Sequence, residues 1–195
     1  MSDLESVKKL RSTTGAGFKD CNSALKEASG DLDKAIEILR IKGVSKASKK
    51  MSREANEGLV FICGDEKKTS IIEINCETDF VAKNDDFLNF AETLSKSIHE
   101  NKNINDNGTD KDLSELRIND KSLNDSLTDL ISKIGENIQI VYYKKYFSKN
   151  SIFISYLHNK YNSNCSKIGS VVEISTDDQD HALKLVDELK VIAMQ

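Results

Sequence analysis

The sequence predicts an α+β fold, with short helices at the amino terminus and a core of antiparallel sheet with helices after it. Three observations carry this. Up to residue 43 apolar residues recur at helical spacing, punctuated by turn signals. From Leu59 to Cys76 two short apolar runs rich in β-branched residues flank a polar turn with a glycine. From Phe87 to Ile98 the helical spacing returns.

Taken in order, Ser2 followed by Glu5 forms a capping box, and Leu4, Val7 and Leu10 line one face of a first helix. Thr14-Gly15-Ala16-Gly17 breaks it. A second helix turns Phe18, Cys21, Ala24, Leu25 and Ala28 inward and ends at Gly30. Asp31 caps a third, with Leu32, Ala35, Ile36 and Leu39 inward, which stops near Gly43. Residues 1–43 thus form a three-helix module near the lower size limit for independent folding. Residues 44–57 read as a basic linker. Lys42, Lys46, Lys49, Lys50 and Arg53 occur between residues 42 and 53 without one acid, and a short basic run in an acidic chain is usually solvated surface and not a nucleic-acid contact.

Residues 58–150 form a first α+β core subdomain. Its hairpin runs from Leu59 to Cys63, through Gly64-Asp65-Glu66-Lys67-Lys68, and back over residues 69–76, where Ile72, Ile74 and Cys76 share one face. In the next helix Phe87, Phe90, Ala91, Leu94 and Ile98 face the core, with Asp85 and Asp86 placed to cap its start. A polar loop over 101–111 leads to helical material carrying Leu113, Leu116, Leu123, Leu127, Leu130 and Ile134, which Gly135 ends. Ile138, Ile140 and Tyr142 then alternate with Gln139, Val141 and Tyr143 in a third strand, added to the first hairpin. Residues 151–195 form a partial second core subdomain. It has strands at Ile152 to Leu157 and Ile168 to Ile174 and a helical stripe of Ala182, Leu185, Val186, Leu189 and Ile192.

Composition narrows the function. A formal charge of -4 over 195 residues argues against a polyanion binder, which shows a basic surface or stripe. The four cysteines, Cys21, Cys63, Cys76 and Cys165, contain no Cys-x-x-Cys pair and read as reduced, packed thiols of a cytoplasmic protein. No apolar run reaches the roughly 20 residues of a membrane span, so no membrane partner is expected. His99, His158 and His181 stand in no Ser/His/Asp or Cys/His setting. Gly15-Ala16-Gly17 lacks the Gly-x-x-x-x-Gly-Lys spacing of a phosphate loop and follows a helix where such a loop follows a strand. The expectation is a protein that is not an enzyme, with no cofactor, metal or small-molecule substrate.

The segment Glu77-Thr78-Asp79-Phe80-Val81-Ala82-Lys83-Asn84 joins strand to helix, and its Phe80 belongs to neither apolar stripe. Either Phe80 folds back as a lid on its own core or it stands as a rigidly mounted wedge that enters a partner. Asp79 likewise either caps the following turn or meets partner side chains. The run Thr78-Asp79-Phe80-Val81-Ala82-Lys83-Asn84 resembles a signature of bacterial translation elongation factor Ts, the nucleotide exchange factor of the GTPase elongation factor Tu. Leu10-Arg11-Ser12-Thr13-Thr14-Gly15-Ala16-Gly17-Phe18-Lys19-Asp20-Cys21 is similar to a second, followed by Ala24-Leu25, Gly30-Asp31, Ala35 and Leu39-Arg40. Lys133-Ile134-Gly135-Glu136-Asn137-Ile138, Tyr156 and His158, and Ile168-Gly169 add shorter matches.

The resemblance implies a ubiquitin-associated-like (UBA-like) fold for residues 1–43 and a role as guanine-nucleotide exchange factor in translation elongation. It implies GDP-bound elongation factor Tu as the partner, with Thr78, Asp79, Phe80, Val81, Ala82, Lys83, Asn84, Phe18 and His158 as partner-binding residues. In that scheme the Asp79-Phe80 pair wedges near the Mg²⁺ and nucleotide site of the GTPase. The chain stops at Gln195, where similar members continue, so its second subdomain is expected to be short. Two rival readings remain on the residues: a UBA-like protein-binding adaptor, and a paralogue that binds the GTPase without exchanging nucleotide.

Overall fold

The structure is a computed structural model that describes residues 4–194. Ser2 of the expected capping box lies outside them. The chain groups into two compact units. One holds the residues up to Arg53 together with Leu127–Asn137, and the other holds Glu54–Ser126 with the residues from Ile138 on.

The first unit contains α1 (Leu4–Thr14), α2 (Phe18–Glu27) and α3 (Leu32–Lys50). Its core is the expected stripe of small and branched residues: Val7, Leu10, Cys21, Ala24, Leu25, Ala35 and Leu39 are buried together, with Leu32 and Ile36 packed partly against them. The turns follow the sequence signals. Gly15 takes a left-handed φ of +68° as its N–H donates to the Arg11 carbonyl at 2.8 Å, and Gly30, at φ +89°, closes α2 on the Leu25 carbonyl at 2.8 Å. Asp31 caps α3 by accepting from the Lys34 N–H at 3.1 Å.

Three expectations for this unit need correction. Leu4 and Phe18 are exposed and do not join the core. Phe18 opens its helix, and a helical side chain leans back over the preceding turn, which a first residue lacks. More consequentially, α3 does not stop at Gly43 but continues to Lys50, through residues expected as a linker. A helical glycine costs only about 1 kcal/mol relative to alanine. Here it also admits a neighbour, because a Cβ at Gly43 would stand 2.7 Å from Ser132 Oγ. The basic run is bonded back: Lys42 Nζ reaches Glu27 at 2.6 Å, Lys46 Nζ reaches Asp20 at 2.8 Å, and Lys50 donates to the Gly135 carbonyl.

In the second unit β1 (Glu57–Gly64) and β2 (Lys68–Cys76) form the expected antiparallel hairpin, Glu57 opposite Cys76 and Gly64 opposite Thr69. Asp65 Oδ1 organises the turn by accepting from the N–H groups of Lys67 and Lys68 at 2.8 and 2.9 Å. Next come α4 (Asp79–Ala82), α5 (Asp85–Glu100) and β3 (Asn107–Gly108), and then β4 (Arg117–Ile118) and β5 (Lys121–Ser122). After α6 (Leu123–Ile134), inside which the division between units falls, come β6 (Ile138–Phe147), β7 (Ser151–His158), β8 (Cys165–Ser166), β9 (Ile168–Ser175), α7 (Gln179–Lys184) and α8 (Val186–Met194). The main sheet has the order β3-β6-β2-β1-β8, and β7 pairs with β9 in a second sheet. Ile72, Ile74 and Cys76 are buried with Phe61, and α5 packs on β1 and β2 through Phe87, Ala91, Leu94 and Ile98. Gly169 lets the second sheet approach β1 closely, since a Cβ there would meet Val60 at 2.9 Å.

Four local departures have physical causes. Asn84, not Asp85 or Asp86, caps α5, its Oδ1 accepting from the N–H groups of Asp86 and Phe87 at 2.9 and 3.4 Å. The stretch from Leu113 to Leu123 is not continuous helix. Arg117–Ile118 pairs with Lys121–Ser122 around Asn119 and Asp120, both at positive φ as a two-residue hairpin loop requires. In β6 the register slips opposite Glu73 and Ile74, with Ile140 against Ile74 and Tyr142 against Glu73, so Val141 is an extra residue. This bulge makes Tyr143 the buried residue after Ile138 and Ile140, and leaves Tyr142 exposed. Finally, a break at Leu185 divides the last helix, and Ala193 is buried where Ile192 was expected.

Candidate partner-docking site

The strand-to-helix junction is a tightly bonded turn. As β2 ends, Cys76 Sγ donates to the Thr78 carbonyl at 3.2 Å. Thr78 is extended (φ -130°, ψ 156°), and its Oγ1 accepts from the Val81 N–H at 3.4 Å, capping α4. The N–H groups of Ala82, Lys83 and Asn84 return to the carbonyls of Thr78, Phe80 and Val81 at 3.2, 3.3 and 2.9 Å. Asn84 at once opens α5. A single helical turn is therefore clamped by a cap at each end.

Side chains leave such a turn in steps of about 100° per residue. Val81 and Ala82 are buried and root α4, which packs on β1 and β2. Phe80 points away and is 81% exposed. It is not a lid on its own core. Leaving such a ring in water forgoes about 1.5 to 3 kcal/mol of burial. Asp79 Oδ2 pairs with Lys83 Nζ at 3.0 Å, one turn along, and does not serve as the cap. That hydrogen bond holds the Asp79 carboxyl below its ordinary range, helped by the nearby charge of Lys167. Lys167 itself pairs with Glu57 at 2.7 Å, which raises its own pKa.

Two further residues were expected to meet a partner. Phe18 is about half exposed at the start of α2, in the first unit. His158 is exposed at the end of β7, its Nδ1 2.9 Å from the Tyr156 hydroxyl. Sequence reasoning passed over Tyr161, whose hydroxyl comes within 3.5 Å of the Lys83 carbonyl. It sits in a loop of Asn, Ser and Lys residues with no periodic signal, so only its aromatic character could have marked it.

Of the histidines, His99 is partly buried, with Nδ1 3.2 Å from Ser70 Oγ, and burial lowers its pKa. Ser70 is itself buried on β2, so the pair fastens α5 to the sheet and does not present a nucleophile. All four cysteines are free thiols, and burial raises the pKa of Cys63 and Cys165. Among the described residues there is no cluster of three or more histidine, cysteine or acidic side chains arranged to hold a metal, and no helix long and apolar enough to cross a membrane.

Comparison with known protein families matches residues 77–195, a segment that opens one residue before the α4 cap, to the family described as Elongation factor TS. The chain belongs to the elongation factor Ts family. Similarity to elongation factor Ts proteins also reaches back through the amino-terminal helices. The Elongation factor Ts of Clostridium kluyveri is 43% identical over 200 aligned positions that take in the whole of this chain. That of Aquifex aeolicus is 41% identical over 98% of it, and that of Clostridium perfringens 39% identical over all of it. The chain spans 62% of the Clostridium kluyveri protein and 66% of the Aquifex aeolicus protein, under two thirds of each.

Proposed function

We propose that this chain is a guanine-nucleotide exchange factor for elongation factor Tu, acting in the cytoplasm on the GDP-bound GTPase by inserting Phe80. The observation that carries the reading is the contrast inside one turn: Phe80 is 81% exposed while Val81 and Ala82 beside it are buried. A ring fixed outward at both backbone ends loses little freedom on docking, so more of its burial energy appears as affinity.

Exchange on this reading needs no acid, base or nucleophile. A GTPase holds nucleotide through backbone N–H groups around the phosphates and a bridging Mg²⁺, and a wedge that displaces either arrangement weakens the hold. Linkage makes the effect mutual. Any factor by which the docked protein lowers nucleotide affinity also lowers its own affinity for the loaded GTPase, so arrival of GTP releases it. Asp79, paired to Lys83 within the turn, is free to exchange that partner for a donor on the GTPase. Thr78 and Asn84 serve as caps, Val81 and Ala82 as roots, and Phe18 and His158 as further contacts.

The test is the release of fluorescent GDP from elongation factor Tu after mixing with excess unlabelled GDP. The proposal expects this chain to accelerate release in a concentration-dependent, saturable way. Binding without acceleration would favour the non-exchanging reading, and no binding would overturn both.

A further inference from the structure

Tyr161 and its surroundings extend the surface around Phe80. We propose that the loop from His158 to Ile168 is a second wall of the docking surface, with Tyr161 packing against the same GTPase that receives Phe80. This rests on the exchange-factor reading and adds a contact to it.

The loop is built, not merely exposed. The Tyr161 N–H donates to the Cys165 carbonyl at 2.9 Å, and Asn162 Oδ1 accepts from the N–H groups of Asn164 and Cys165 at 2.8 and 3.0 Å. Its base joins the main sheet. Val60 pairs with Ser166 and Phe61 with Cys165, and the Ile62 N–H donates to the Asn164 carbonyl at 2.9 Å. Cys165 and Ser166 are fully buried. The tip is therefore fixed to the same sheet that roots α4, and holding it for a partner costs little further ordering.

Position supplies the occupant. The Tyr161 hydroxyl approaches the carbonyl of Lys83, the C-cap residue of α4, at 3.5 Å, and Tyr161 is 46% exposed. Lys167 lies close enough to Asp79 for each charge to act on the other. Ile168, opposite His158 in the β7–β9 register, is 63% exposed. Single exposed apolar residues are ordinary. Here Phe80 stands on a capped turn and Tyr161 reaches the C-cap residue of that same turn, and aromatic residues at the centre of a surface are the usual interface anchors. A partner that buries Phe80 meets Tyr161 at its side.

At 3.5 Å the hydroxyl contact is a weak hydrogen bond, so the ring carries the expected effect and not a brace on α4. The experiment titrates the wild-type chain, Tyr161→Ala and Tyr161→Phe against elongation factor Tu carrying fluorescent GDP. Loss of a half-exposed aromatic anchor should raise the half-saturating concentration about tenfold in Tyr161→Ala, with the rate at saturation and the melting temperature unchanged. Tyr161→Phe, which keeps the ring, should behave as wild type. Amide hydrogen exchange of the wild-type complex should show new protection over residues 159–164, a readout independent of any variant's folding. An unchanged half-saturating concentration in a folded Tyr161→Ala, equal losses in the Phe and Ala variants, or no added protection would each overturn the second wall while leaving the Phe80 reading intact. Wild type that neither binds the GTPase nor accelerates release would overturn both.

Discussion

Phe80 and Phe87 stand on consecutive helices of the same unit, yet one is 81% exposed and the other fully buried. Both follow a capping side chain, Thr78 for α4 and Asn84 for α5. The difference lies in what the flanking residues do. On α5 Phe87 is the first of a stripe with Ala91, Leu94 and Ile98, all buried against the hairpin, so its ring completes a core. On α4 the burial is done by Val81 and Ala82, and the ring is left over. The same side chain thus completes a core in one place and is left in solvent in the other. The periodicity into which an aromatic falls tells the two apart better than its hydrophobicity does.

The contrast can be broken from the core side first. Phe87→Ala removes a fully buried aromatic and should destabilise the protein by about 3 to 5 kcal/mol, read as a large drop in the thermal midpoint by circular dichroism. A melt close to wild type would mean that Phe87 is no more structural than Phe80. Thr78→Ala tests the mounting of the wedge. Losing the Oγ1 bond to the Val81 N–H should cost about 1 kcal/mol, and fraying of α4 should slow stimulated GDP release while the hairpin stays folded. Release at the wild-type rate from this variant would show that the cap is irrelevant to presenting Phe80.

Much of this was legible in the sequence, for a reason that also explains the failures. The hairpin, α5 and the core of the first three helices follow from uninterrupted periodicity at 2 or 3.6 residues, and they form where expected. Phe80 was conspicuous because it fell outside both periods, though only the structure shows that it is not a lid. The misread elements are those where one local device overrides a period. Gly43 reads as a stop until Ser132 is seen to need the space. The leucines from 113 to 123 keep helical spacing while Asn119 and Asp120 turn the chain back. The bulge at Val141 reverses the alternation of β6 with no glycine or proline to announce it. Tyr161 had no period to violate. Its placement depends on the pairing of β8 with β1, about a hundred residues apart, which no local pattern encodes.

The central claim is that Phe80 is spare to the fold and necessary to the partner. The direct measurement pairs two readouts on Phe80→Ala: the thermal midpoint of the free protein and the saturating rate of fluorescent GDP release from elongation factor Tu. The account predicts an unchanged midpoint and release at least tenfold slower, since truncating a buried aromatic anchor at an interface costs about 2 kcal/mol or more. A lowered midpoint with release at the wild-type rate would contradict it and return Phe80 to the core.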